Sequence, residues 1–142
     1  MKLEPLTVDH CRALHVQPWQ SGQAANLRDE PFMLGLIASG PAWAAVDGGR
    51  VLAIGGVVDN GGGRAFCWSF VGAELGAEMI GCFRAAKRVI DDLNFRRIET
   101  VTHCDFDAAH RLVKLLGFKF EASLRAWFPD GSAGYMWARI NA

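Results

Sequence analysis

Residues 65–104 read AFCWSFVGAELGAEMIGCFRAAKRVIDDLNFRRIETVTHC, and a change of period inside this stretch decides the fold. Ala65–Val71 is a compact apolar run of strand length. From Leu75 onward the apolar residues fall three or four apart. Met79, Ile80, Phe83, Ala86, Val89, Ile90 and Leu93 line one face, with Arg84, Lys87, Arg88, Asp91 and Asp92 on the other. That spacing predicts a helix of about five turns. Arg97–Cys104 returns to β-branched residues and predicts a strand. Two strands flanking a long helix form a crossover unit, so they are expected to be parallel and joined with a right-handed sense.

Working outward, Ala42–Val46 and Arg50–Val58 are strand-like, separated by the turn Asp47-Gly48-Gly49 and followed by Asp59-Asn60-Gly61-Gly62-Gly63. Glycine turns between adjacent apolar runs indicate an antiparallel meander. Before it, Leu3–Leu6 suggests a short edge strand, and Thr7 can cap a helix through about Leu14. Gln17–Glu30 is polar with Pro and Gly and reads as a loop. Pro31 then opens a second short helix that Gly40-Pro41 stops. Downstream, Asp105 is placed to cap a helix carrying Leu112, Val113 and Leu116, which Gly117 ends. A hairpin closes the chain: Lys119–Phe128, the turn Pro129-Asp130-Gly131, and Tyr135–Ile140. The predicted architecture is a single α/β (α+β) domain over residues 1–142, with a mixed sheet and the order β-α-α-β-β-β-α-β-α-β-β.

Composition narrows the partners. Lys plus Arg and Asp plus Glu number 15 each, and this balance argues against nucleic acid, whose binding requires neutralising many phosphates. No apolar run approaches the roughly 20 residues that span a bilayer, so no membrane partner is expected. Pro5 and Glu4 interrupt the start where a signal peptide needs an apolar core, which points to a soluble protein made in a cytoplasm. Cys11, Cys67, Cys82 and Cys104 have no metal-type spacing and are expected to be reduced, buried thiols.

The element order resembles the GNAT superfamily of acetyl-CoA-dependent acyltransferases. Leu3-Glu4-Pro5-Leu6-Thr7-Val8-Asp9 is similar to that family's first strand and helix cap. Ala108–Phe118, ending in Leu116-Gly117-Phe118, resembles its late helix. More narrowly, Leu52-Ala53-Ile54-Gly55-Gly56, the basic-faced helix and the strand-helix-hairpin ending resemble a small group of short-tailed phage proteins. These include the internal virion protein A family, itself GNAT-like.

The resemblance implies a pyrophosphate turn, [QR]-x-x-G-x-[GA], at the start of the long helix, where backbone N–H groups and the helix dipole attract an anion. The equivalent segment is Val71-Gly72-Ala73-Glu74-Leu75-Gly76, so the cofactor-binding candidates are Val71, Gly72, Gly76 and Ala77. Val71 stands where Gln or Arg belongs. Glu74 replaces the middle glycine, and with Glu78 it would repel a phosphate while favouring the helix start. The family's general-acid tyrosine falls at Val113, which carries no proton to give.

The catalytic candidates left are His103 and Asp105, at the end of the strand after the long helix. A histidine there can deprotonate an amine, since its unperturbed pKa lies near 6.5. Cys104 is its neighbour, but strand neighbours point to opposite faces, so the two are not expected to touch. His10, His15 and His110 are scattered, and no metal site is expected. The sole tyrosine, Tyr135, is expected to pack in the terminal hairpin, and Trp19 is a candidate partner-facing anchor.

Taken with the narrower resemblance to phage proteins, these departures imply a virion-associated structural or interaction protein of a phage, made in a bacterial cytoplasm. Its partners would be other virion proteins or a second copy of itself. Its acetyl-CoA site would be degenerate, so no cofactor is expected. The alternative is a divergent acetyl-CoA-dependent N-acyltransferase, in which the strand before the long helix still pairs with the pantetheine arm through its main chain. A third idea is a sensor that binds an acyl-CoA without turning it over.

Overall fold

The structure, a computed structural model, describes residues 1–141. Along the chain run β1 (Lys2–Pro5), α1 (Val8–Ala13), a 3-10 segment (Pro18–Arg28), α2 (Glu30–Ala38), β2 (Ala42–Asp47), β3 (Arg50–Gly61) and β4 (Arg64–Val71). A 3-10 turn (Gly76–Glu78) leads into α3 (Met79–Asp92), followed by β5 (Arg97–His103), α4 (Asp107–Leu115), β6 (Lys119–Leu124) and β7 (Gly134–Ile140). The strands form one seven-stranded mixed sheet in the order β1-β2-β3-β4-β5-β7-β6. Strand and α-helix order match the sequence expectation. The last strand inserts between β5 and β6 rather than closing the sheet. Contacts divide the chain into two compact units: Met1–Asp59 with Cys67–Ala85, and Asn60–Phe66 with the chain from Ala86 onward.

In the first unit, β1, β2 and β3 pair antiparallel. Leu6, Cys11, Leu14, Leu27, Met33, Ala44, Ile54 and Phe70 form its main core, closed by α1, α2 and the 3-10 segment. The register jumps from Ala45↔Ala53 to Val46↔Val51, leaving Leu52 as the extra residue of a bulge. A bulge reverses the facing of its strand. Leu52 therefore joins Ala45 and Leu75 in a second cluster instead of following Ile54. The Thr7 cap is as expected: its hydroxyl accepts from the His10 N–H, and the His10 ring answers the Thr7 N–H.

Three local expectations change here. Gln17–Glu30 is not a plain loop but carries the eleven-residue 3-10 segment, anchored by the buried Leu27. Helix α2 begins at Glu30, one residue before Pro31, with Asp29 as its N-cap accepting from the Phe32 N–H. The long helix starts four residues late, at Met79, so Met79 and Ile80, assigned to the core face, are 50% and 65% exposed.

In the second unit, β4 and β5 pair in parallel from Arg64↔Arg97 to Phe66↔Glu99, and β5 pairs antiparallel with β7 along its length. Ile98, Val113, Leu116, Phe118, Trp137 and Ala138 are buried here. The buried Trp137 indole N–H donates to Thr102 Oγ1 at 2.8 Å. Helix α4 ends in a Schellman motif. Gly117 (φ +93) donates to the Lys114 carbonyl, Phe118 donates to the Val113 carbonyl, and the Val113 and Phe118 side chains are both buried. Asp105 does not cap this helix. The cap position is Phe106, without a side-chain bond, and the first helical residue is Asp107. Strand β6 ends at Leu124, short of the expected Phe128.

Candidate functional site

Val71 and Gly72 end β4, and Gly76 and Ala77 open the 3-10 turn before α3, so all four cofactor candidates lie along one connection. Gly76 has φ +47 and open space around its Cα, a conformation that glycine adopts without strain. Within this connection the Leu75 N–H donates to the Gly72 carbonyl, Glu78 to Leu75, and Met79 to Gly76. The N–H groups of Gly76 and Ala77 have no partner among the described residues, as befits the first positions of a helical turn.

Charge at this turn differs from the expectation. Glu74 is exposed and precedes the turn, so it is not in the first turn of α3. Glu78 faces Arg50 at 3.6 Å, and Arg50 also faces Asp47 at 3.6 Å. The carboxylate one turn on is therefore partly neutralised, leaving Glu74 as the unopposed negative charge.

The decisive feature is what lies along β4. The Gly72 N–H donates to the Leu52 carbonyl on β3, at 2.8 Å. Residues alternate between strand edges, so Ser69, Val71 and Ala73 turn their main-chain groups to the opposite edge. Along it, the Gln20 amide bridges two positions, donating to the Ser69 carbonyl (2.7 Å) and accepting from the Val71 N–H (2.9 Å). The Gln17 N–H donates to the Val71 carbonyl (2.8 Å), and the Ala73 N–H donates to the His15 carbonyl (2.7 Å). Residues 15–20 thus act as a substitute partner strand, with Val16 bridged to Gly72. A cavity of about 220 Å³, lined by Cys11, Leu14, His15, Val16 and Leu27 among others, lies between this segment and α1.

The corner after β5 is a separate constellation. Strand β5 stops at His103, and Cys104 and Asp105 already belong to the following turn. Strand alternation therefore does not apply. One ligand-type atom each from His103, Cys104 and Asp105 falls within 4.8 Å of the others. The Asp105 N–H donates to His103 Nδ1 at 3.1 Å, and the imidazole stacks on Phe128 with centroids 5.2 Å apart. Sequence reasoning missed this grouping because it treated Cys104 as part of the strand.

The remaining candidates have structural surroundings. Val113 is buried in the Schellman motif, so α4 offers no proton donor at that position. Tyr135 stacks on His110 and meets Phe120 edge-on, as a packing residue does. The His110 ring reaches the His103 carbonyl (2.9 Å), and His10 reaches Glu4 (3.0 Å). Lys87 on the polar face of α3 pairs with Asp91 at 2.8 Å. Burial raises the thiols of Cys11 and Cys82 and pushes that of Cys67 up to about 12. Trp19 is half exposed near the start of the 3-10 segment. No helix among the described residues is long and apolar enough to cross a membrane.

No protein-family model matches the chain, and no curated protein matches it in sequence. Solved structures of acetyltransferases do match its fold. A chimera of the Vibrio cholerae spermidine N-acetyltransferase superposes with a TM-score of 0.79 at 15% identity, covering 98% of this chain and 94% of that one. An IAA acetyltransferase from Bacillus cereus gives 0.69 at 14% identity, covering 99% of each chain. A GNAT-family acetyltransferase from Bacillus anthracis gives 0.69 at 10% identity, covering 97% and 93%. At such identities the likeness establishes the fold, which is that of the GNAT acetyltransferases.

Proposed function

We propose that the chain is an acyl-CoA-dependent N-acyltransferase of the GNAT plan, whose cofactor edge is held closed by its own residues 15–20. The observation that carries this reading is the Gly76–Ala77 turn. Its two N–H groups have no partner among the described residues, and they stand at the head of the helix where such a fold receives an anion.

The turn fits a pyrophosphate in main-chain terms. The β4 edge does not fit a pantetheine arm as it stands, because the groups that would pair with it are bonded to His15, Gln17 and Gln20. Acyl-CoA binding on this reading requires that segment to leave the edge, and no acyl-transfer step is derived from the closed arrangement.

Calorimetric titration with acetyl-CoA is the test. One-site binding, with a rise in melting temperature as ligand increases, is the expected result. Absence of heat and of any thermal shift at millimolar ligand would refute it. Glu74→Gln is expected to tighten binding by roughly two- to fivefold, the effect of one exposed charge near a helix start.

A second reading, a non-catalytic protein, is supported by the same occupied edge and by Val113; joined to the phage resemblance, it would be a component of a phage particle in contact with other virion proteins or with itself. Mass spectrometry of purified particles tests it. A fixed copy number supports a virion role, and absence from the particle refutes it.

A further inference from the structure

We infer that the corner between β5 and α4 binds a divalent transition-metal ion of the zinc class through His103, Cys104 and Asp105. Their ligand atoms lie within 4.8 Å of one another. Tetrahedral zinc with bonds of about 2.0–2.3 Å sets its ligand atoms roughly 3.3–3.8 Å apart. Reaching that spacing takes at most about 1–1.5 Å of side-chain movement, and Asp105 is the exposed member of the three.

The donors suit such an ion rather than magnesium or calcium. A thiolate and an imidazole select zinc-type metals, and a carboxylate completes the three protein ligands of an open site, with water in the fourth position. His103 Nδ1 already accepts from the Asp105 N–H, so its lone pair points into the turn that carries the other two donors. A metal ion would replace that N–H as its partner. Stacking on Phe128 fixes the ring, and the Cys104 N–H bond to the Ala133 carbonyl (3.1 Å) fixes the backbone beneath the thiol. Binding releases the Cys104 thiol proton to solvent and changes no oxidation state.

The site is tested by titrating chelator-stripped protein, kept reduced with a non-chelating phosphine, with cobalt(II). One equivalent is expected to produce the near-ultraviolet thiolate-to-cobalt charge-transfer band, and zinc is expected to bleach it. Cys104→Ser should abolish the band, while Cys67→Ser and Cys82→Ser keep it. Because Cys104 is half-buried, Asp105→Asn provides a second variant at an exposed position. It should retain the band with affinity lower by on the order of tenfold. No band at stoichiometric cobalt, a full band in Cys104→Ser, or unchanged affinity in Asp105→Asn would each overturn the assignment.

Discussion

Gln20→Ala isolates the contact that closes the β4 edge. The Gln20 amide makes two bonds to β4, to the Ser69 carbonyl at 2.7 Å and from the Val71 N–H at 2.9 Å. Each such bond contributes about 0.5–1.5 kcal/mol net, and the partial exposure of this pair places the sum near 1–2 kcal/mol. The bonds from Gln17 to Val71 and from Ala73 to His15 remain, so the segment should still close, but less firmly. A loss of 1–2 kcal/mol raises the open population roughly 5- to 30-fold. Amide hydrogen exchange followed by NMR reads this directly. Exchange at Val71 should accelerate by that factor, while Gly72, bonded to Leu52 on the other edge, keeps its rate. If acetyl-CoA binds only the open state, its apparent affinity rises by the same factor. Equal acceleration at Val71 and Gly72 would mean a global loss of stability. No acceleration at Val71 would mean that Gln20 does not hold the edge.

Other consequences follow from the packing. Thr102→Val keeps the shape of the side chain but leaves the buried Trp137 N–H without an acceptor, so denaturant unfolding should show a loss of about 1–3 kcal/mol. Gly117→Ala forces a Cβ onto a residue at φ +93 and should cost about 1–2 kcal/mol in the same assay. The Arg97 hydrogen bond, then that of Arg64, holds the Glu99 carboxyl below its ordinary range, and Arg97 does the same for Glu121. A depressed carboxyl adds stability above its unfolded pKa, about 4.3, and loses it as pH falls through the folded value. Melting midpoints of Glu99→Gln should therefore fall less steeply than those of the parent as pH drops below that point; parallel acid limbs would show that Glu99 carries no such linkage.

The order of strands and helices was legible because it rests on periodicity, and Leu-Gly-Phe at 116–118 was legible as a helix stop because the Schellman motif is local. What escaped the sequence depended on contacts between distant residues or on where a strand stops. Gln20 meets Ser69 and Val71 across some fifty positions, and nothing in the spacing of Gln17–Glu30 announces a partner for β4. The bulge that moves Leu52 to a different face is set by its pairing with β2, not by its own neighbours. At the β5 corner the error was one residue of strand length. Ending the strand at His103 instead of Cys104 converts an alternating pair into a turn, and the turn brings three ligand-type side chains together.

These contacts also change the physical account of how the fold would lose its cofactor. On sequence alone the obstacle is charge, from Glu74 and Glu78 at the head of a helix. With Glu78 facing Arg50 and α3 beginning at Met79, what remains is one exposed carboxylate, an effect of about 0.3–1 kcal/mol. Four bonds join residues 15–20 to β4 and the residues just after it, two of them main chain to main chain and two through the Gln20 amide, and the Gln20 pair alone outweighs that charge. On the proposed acyl-CoA reading, hydrogen-bond occupancy of the β4 edge, rather than electrostatic repulsion, is then the larger barrier. The two accounts separate in one comparison of acetyl-CoA affinities. Gln20→Ala should exceed Glu74→Gln in its gain, and the reverse ranking would return the obstacle to the glutamate.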